Sequence, residues 1–142
     1  MINLSQHIGN SRLARETDEK VSLELKTSPR LPFASIIILN YNGCDALEDC
    51  IGSVLDSRHP NLEIIVVDNG STDESYKIAE KYVPRIKLIR SRYNLGYSAG
   101  NNIGIKAAKG DYIFLPNNDA TIHPECISEL VKAALSDPKI GF

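Results

Sequence analysis

Three consecutive residues, Asn117, Asn118 and Asp119, place two amides and a carboxylate directly behind a short apolar run at 112–115. Oxygen donors of this kind suit a hard cation or a sugar hydroxyl. The same tripeptide is ordinary turn chemistry, so alone it leaves both readings open. Polar residues recur in the same situation along the chain. Asn40, Tyr41 and Asn42 follow the apolar run 35–39, Asp68 follows 64–67, and Arg90, Arg92 and Asn94 follow 86–89. Cys44, Cys50 and Cys126 form no Cys-x-x-Cys pair, which points to reduced thiols of a cytoplasmic protein. His59 and His123 each precede proline and find no second His or Cys at metal spacing, so they are expected to be loop residues.

Those residues need elements to position them. The run 35–39 reads as a buried strand. Leu47, Cys50, Ile51, Val54 and Leu55 then recur at helical spacing and predict a helix over 45–57. A second strand at 64–67 leads to Ser71 and Glu74, which match a capping box and predict a helix running to 82. A third, shorter strand is expected at 86–89. Gly96, Gly100 and Gly104 fall four apart, so on a helix they form one stripe. That stripe admits either tight helix-on-sheet packing or the close approach of a ligand. Gly110 is placed to cap the helix end. The strand 112–115 follows, and Pro116 should end its pairing. Pro124 then opens a last helix that buries Ile127, Leu130, Val131 and Ala134.

Strand and helix thus alternate four times. Strands joined through helices pair in parallel with right-handed crossovers, and apolar runs of this kind are covered on both faces. The expected fold is α/β: an open, mostly parallel sheet in spatial order 3-2-1-4 with helices on both faces, Rossmann-like and nucleotide-binding. Ligands of such sheets bind outside the carboxyl ends of the strands, where the polar residues above collect. The glycine fingerprint of dinucleotide enzymes and the phosphate loop ending in Gly-Lys-Ser/Thr are both absent from the sequence. Residues 1–31 read as a polar arm, with an alternating stretch at 21–25, and 32–142 as the binding domain.

The motifs Ser35-Ile36-Ile37-Ile38-Leu39-Asn40-Tyr41-Asn42-Gly43, Val67-Asp68-Asn69-Gly70-Ser71-Thr72-Asp73, Asn94-Leu95-Gly96-Tyr97 with Asn101-Asn102-Ile103-Gly104, and Asn117-Asn118-Asp119-Ala120 stand in order and at characteristic spacing. Together they resemble glycosyltransferase family 2, most closely its rhamnosyltransferase-like members. The resemblance implies a GT-A fold, a nucleotide-diphosphate sugar donor, a divalent metal (Mg or Mn), inversion at the anomeric carbon and a saccharide or lipid-linked acceptor. By position, Asn40, Tyr41, Asn42 and Asp68 would hold the nucleoside, with Asp68 accepting a hydrogen bond from a pyrimidine imide. Arg92, Asn94, Gly96, Asn101, Asn117 and Asn118 would complete the nucleotide-sugar site. Asp119 would bind metal and diphosphate, in the place of the family's Asp-x-Asp motif. Asn117 stands at that motif's first position and removes one charge. The resemblance also implies that the general base lies beyond residue 142, so that this chain is the donor-binding half of an enzyme.

The formal charge of −2 argues against a nucleic-acid binder. No apolar run reaches the length of a membrane span, and the N-terminal residues lack the apolar core of a secretory leader. Lys81, Arg85, Lys87, Arg90 and Arg92 form a basic band, read first as a solvated edge and second as an attraction for a diphosphate or an anionic membrane surface. A cytoplasmic location, with peripheral contact at the inner membrane face, accords with that band. Exposed apolar surface toward residues 125–142 is expected to favour self-association. A non-catalytic nucleotide-binding or interaction module is the alternative function. A sugar-1-phosphate nucleotidyltransferase ranks below it, since that chemistry needs a basic, glycine-rich loop where Asn-Tyr-Asn-Gly stands.

Overall fold

The computed structural model describes residues 31–137, 139 and 140. The expected polar arm and its strand at 21–25 lie outside the described residues. Four strands, β1 (Ala34–Asn40), β2 (Leu62–Asp68), β3 (Lys87–Arg90) and β4 (Tyr112–Phe114), form one parallel sheet in the order β3-β2-β1-β4. This is the predicted order. The register sets Asn40 opposite Asp68 and Asp68 opposite Arg90, so the carboxyl ends of three strands carry one polar row.

Alternation along the strands sorts the apolar residues between two layers. Ile36, Ile38, Ile64 and Val66 face helices α1 (Leu47–Leu55), α2 (Ser75–Glu80) and α4 (Cys126–Ser136), meeting Leu47, Ile51, Val54, Ala79 and Val131. Ile37, Ile65 and Val67 face α3 (Tyr97–Ala107). Each fully buried aliphatic side chain contributes roughly 1.5–3 kcal/mol to this double core. No helix among the described residues is long and apolar enough to cross a membrane.

Several local expectations are corrected. The capping box does not form: α2 starts at Ser75, and the Ser71 hydroxyl instead accepts the backbone N–H of Asn42 and the amide of Asn40. The Asp73 carboxylate takes over at the helix start, accepting the N–H of Ser75. Gly110 does not cap α3, which ends at Ala107 with Ala108 already extended. It lies against β1, where an added Cβ would sit 2.5 Å from the Ser35 nitrogen. Among the described residues the run 112–115 is a sheet edge, not a buried strand, and Ile113 and Leu115 are exposed. Its ladder stops at Phe114, and one further bridge joins Asn117 to Leu39 beyond the proline. His59 is no ordinary loop residue. It is buried, with Nε2 on the carbonyl of Pro32 at 2.9 Å and Nδ1 on Ser128 Oγ at 3.4 Å.

Candidate functional site

The polar row comes first because the register creates it. Asp68 is 1% exposed, and its carboxylate accepts from Asn40 Nδ2 and from Arg90 Nε, each at 3.4 Å. Arg90 stacks on the Tyr76 ring of α2, 3.7 Å from its centroid. Asn40 is fully buried and also donates to Ser75 Oγ at 2.8 Å. A buried carboxylate must be paired, and here the row itself supplies the partners. Asn40 and Asp68 are thus buried and bonded to their neighbours, and neither is among the residues that line the cleft between β1 and β4. Asn42, with a left-handed φ of 54°, clamps the neighbouring loop through its side-chain oxygen, which accepts the N–H groups of Thr72 and Asp73.

On the α3 side of the sheet, a cleft of about 300 Å³ opens between β1 and β4. The connection order reverses there: the chain runs outward from β1 through β2 to β3 and then crosses back to place β4 on the other side of β1, and such a switch point is where open α/β sheets take ligands. Leu39 and Tyr41 line it from β1, Pro116, Asn117 and Asn118 from β4, and Gly96, Tyr97 and Asn101 from the start of α3. Tyr41 and Tyr97 are exposed at its rim, so the two rings are open to a ligand.

Asn69 and Asn94 complete the walls. Asn69 is buried; its Nδ2 donates to Asn94 Oδ1 at 3.0 Å and to the carbonyl of Gly96 at 3.2 Å, and its Oδ1 accepts the N–H of Leu95 at 3.0 Å. Asn94 Oδ1 in turn accepts the N–H of Gly96. The sequence reading missed Asn69; the signal was its place in the Asp-Asn-Gly-Ser motif, one residue beyond β2 and so on the opposite face from Asp68.

The glycine stripe divides between its two readings. A Cβ at Gly104 would lie 2.3 Å from Ile37 Cγ2, and one at Gly100 would lie 2.5 Å from Leu39 Cδ1, so both permit α3 to pack on the sheet. Gly96 is different. It has φ 79°, no atom crowds its missing side chain, and it opens onto the cleft.

The 117–119 turn is tied from below. The Cys50 thiol donates to the carbonyl of Asn117 at 3.4 Å, and Asn118 Nδ2 donates to Asn40 Oδ1 at 3.1 Å. Ser53 Oγ accepts the N–H of Ile122 at 3.1 Å, fixing the segment that follows. Burial, with the Asp119 charge added, pushes the Cys50 thiol up to about 11, so it stays protonated and able to donate. Asp119 itself is exposed, and its carboxylate accepts no hydrogen bond among the described residues. No three His, Cys, Asp or Glu residues gather in a metal-holding group among the described residues. One free carboxylate beside neutral amides fits magnesium or manganese that draws further ligands from phosphates, not a cage made by protein alone.

Arg92 is not brought to this cleft. It lines a second, polar groove of about 490 Å³ with Gly70, Ser71, Thr72, Arg90 and Ser91, at the ends of β2 and β3.

A four-stranded parallel sheet with a polar cleft at its switch point defines a nucleotide-binding type of α/β domain. Residues 35–142 match Glycosyl transferase family 2, and the chain belongs to that family. It is 38% identical over 106 residues to the uncharacterized glycosyltransferase EpsJ of Bacillus subtilis, covering 73% of this chain and 31% of the relative. The fold is similar to that of S. aureus TarS 1-349 in complex with UDP-GlcNAc, with TM-score 0.68, 25% identity, and 73% of this chain and 31% of that one covered. It also resembles the mannosyltransferase PcManGT from Pyrobaculum calidifontis, solved with GDP-Man and Mn2+, with TM-score 0.72 at 23% identity over 78% of this chain and 34% of that one. The GT-A-like fold implied by the motifs is the fold observed. The chain spans about a third of the length of the curated relatives it matches.

Proposed function

We propose that this chain provides the donor-binding part of an inverting glycosyltransferase. The cleft at the β1/β4 switch point takes a nucleotide-diphosphate sugar, whose sugar passes to a hydroxyl of a saccharide or lipid-linked acceptor. One observation carries the reading: two exposed tyrosines and a wall of side-chain amides converge on that cleft, and the Asn117–Asn118 turn that lines it runs directly on into the exposed carboxylate of Asp119. A nucleoside diphosphate sugar offers a flat base, hydroxyls and two phosphates, which match those three features. The UDP-GlcNAc complex of TarS supports the same class of ligand. Asn117 at the first position of the acidic motif accords with the rhamnosyltransferase-like branch.

In this reading Tyr41 and Tyr97 flank the base or sugar ring. Asn94, Gly96, Asn101, Asn117 and Asn118 meet hydroxyls and phosphate oxygens. Asp68 acts from beneath, holding Arg90 and Asn40 in place. Arg92 brings positive charge toward the diphosphate from the adjoining groove, as preorganised donors do for a departing anion. Asp119 would hold a magnesium or manganese ion, which when bound supplies Lewis-acid stabilisation of the diphosphate leaving group.

Calorimetric titration of nucleoside diphosphates, with and without manganese, tests the proposal. The expected result is that metal and nucleotide each raise the other's affinity by the same factor. Asp119→Ala should abolish that enhancement and leave metal-free nucleotide affinity in place. Failure of every nucleoside diphosphate to bind the folded chain would remove the donor-site reading.

A further inference from the structure

We propose that Gly43 is a positioning residue for the 117–119 turn, acting through the hydrogen bond between the side-chain amides of Asn118 and Asn40. The proposal rests on the donor-site reading above and adds to it what sets the place of the metal-facing carboxylate.

Asn40 is the fixed partner. It is fully buried, and its Nδ2 donates to Ser75 Oγ at 2.8 Å, Ser71 Oγ at 3.2 Å and Asp68 Oδ1 at 3.4 Å. Those bonds commit the donor side of the amide, so Oδ1 is turned toward Asn118, whose Nδ2 reaches it at 3.1 Å. Asn118 is the movable partner, half-buried and held by this one side-chain bond among the described residues. Gly43 lies against the bond itself. A Cβ added there would be 2.3 Å from Asn118 Nδ2 and 2.4 Å from Asn40 Oδ1, while the next nearest atom, Asn118 Cγ, is 3.5 Å away.

Gly43 does not use a left-handed backbone, unlike Gly70 and Gly96. Its carbonyl accepts the N–H of Leu47 at 3.0 Å as α1 begins, an arrangement open to any residue. Neither backbone conformation nor a backbone neighbour therefore demands glycine. The amide bridge does. A methyl group at 43 must displace one of the two amides, and the one free to leave is Asn118. The Leu39 bridge and the Cys50 thiol hold Asn117, whose carbonyl also accepts the N–H of Ala120 at 3.1 Å, so among the described residues the Asn118 amide makes the one side-chain hydrogen bond from inside the turn. When it is expelled, the turn that carries Asp119 loses its side-chain tie to β1.

The test has two arms on the 142-residue chain. In the ligand-free arm, NMR follows the Asn118 side-chain amide, identified by its disappearance in Asn118→Ala. Slow hydrogen exchange in the wild type and fast exchange in Gly43→Ala, with core strand amides unchanged, are expected. In the binding arm, Gly43→Ala should reduce the manganese-dependent gain in nucleoside diphosphate affinity by about tenfold, the loss typical of an outer-shell partner. Metal-free affinity should fall no further than it does in Asn118→Ala, with the core strand amides still protected, which a general loss of structure would not allow. The double variant Gly43→Ala, Asn118→Ala should be no weaker than Asn118→Ala alone, because both remove one bond. A protected Asn118 amide in Gly43→Ala, or losses that add in the double variant, would overturn the proposal while leaving the donor site intact. A wild-type chain that binds no nucleoside diphosphate overturns the donor-site reading, and the positioning role with it.

Discussion

Asn69 holds one whole wall of the cleft with a single side chain. Its amide spends both ends on the 94–96 loop, donating to Asn94 Oδ1 and the Gly96 carbonyl and accepting from the Leu95 N–H. Such a group is costly to lose because the loop atoms it served become unpaired beside a buried gap. Asn69→Ala is expected to cost about 1–3 kcal/mol in urea unfolding. It should also speed hydrogen exchange of the Leu95 and Gly96 amides and weaken nucleoside diphosphate binding with and without metal. An unchanged exchange rate at Leu95 would show that the loop holds its shape by itself. Asp68 is a different case. It is buried and paired with Arg90 and Asn40, so its loss leaves both of those partners without their carboxylate.

At the scale of elements, α3 joins the fold to the cleft. Its glycines let it lie directly on β1 and β2, and its first turn carries Gly96, Tyr97 and Asn101 to the ligand side. Gly104→Ala would drive a methyl group to 2.3 Å from Ile37 Cγ2 and 3.2 Å from Val67 Cγ2. Overpacking of this kind costs about 1–3 kcal/mol. Lifting α3 should also lower nucleotide affinity, since cleft residues ride on it. Gly52 in α1 is the control, because nothing lies within 4 Å of its missing side chain. Gly52→Ala should stabilise the chain by about 0.5–1 kcal/mol through helix propensity alone. Denaturant midpoints moving in the same direction for both variants would refute the packing account of the stripe.

Among the described residues the sheet has two unlike edges. β3 exposes Lys87 and Arg90, charges that discourage a further strand from pairing. β4 exposes Ile113 and Leu115, and an apolar hollow of about 290 Å³ lies between that strand and Leu130 of α4. Leu135 and Ile140 add exposed apolar surface on the same side of the sequence. An uncharged apolar edge of this kind invites association. For the 142-residue chain, light scattering should show a mass that rises with concentration, and Ile113→Lys should return it to that of a monomer. A monomeric mass at every concentration would retire this expectation.

Much of this molecule is determined by local chemistry that a sequence displays. The runs 35–39 and 64–67 are apolar throughout because both their faces are covered, and their alternation with helical spacing predicts parallel pairing, with 3-2-1-4 the order expected of a doubly wound nucleotide-binding sheet. The ordered motifs that end in Asn117, Asn118 and Asp119 were enough to indicate the family. What the tertiary structure decided is the division of labour among polar residues of similar type. Strand register sent Asn40 and Asp68 beneath the surface, and one step further along the chain the alternation turned Asn69 toward the cleft. Ser71 left its expected cap because Asn42, 29 positions away, offered it an N–H that no local rule could anticipate. Gly43 and Gly110 looked like turn and cap residues, yet each answers to an atom of a distant segment, Asn118 in one case and Ser35 in the other. Propensity and spacing act over a few residues, whereas register and close contact depend on strands that only folding brings side by side.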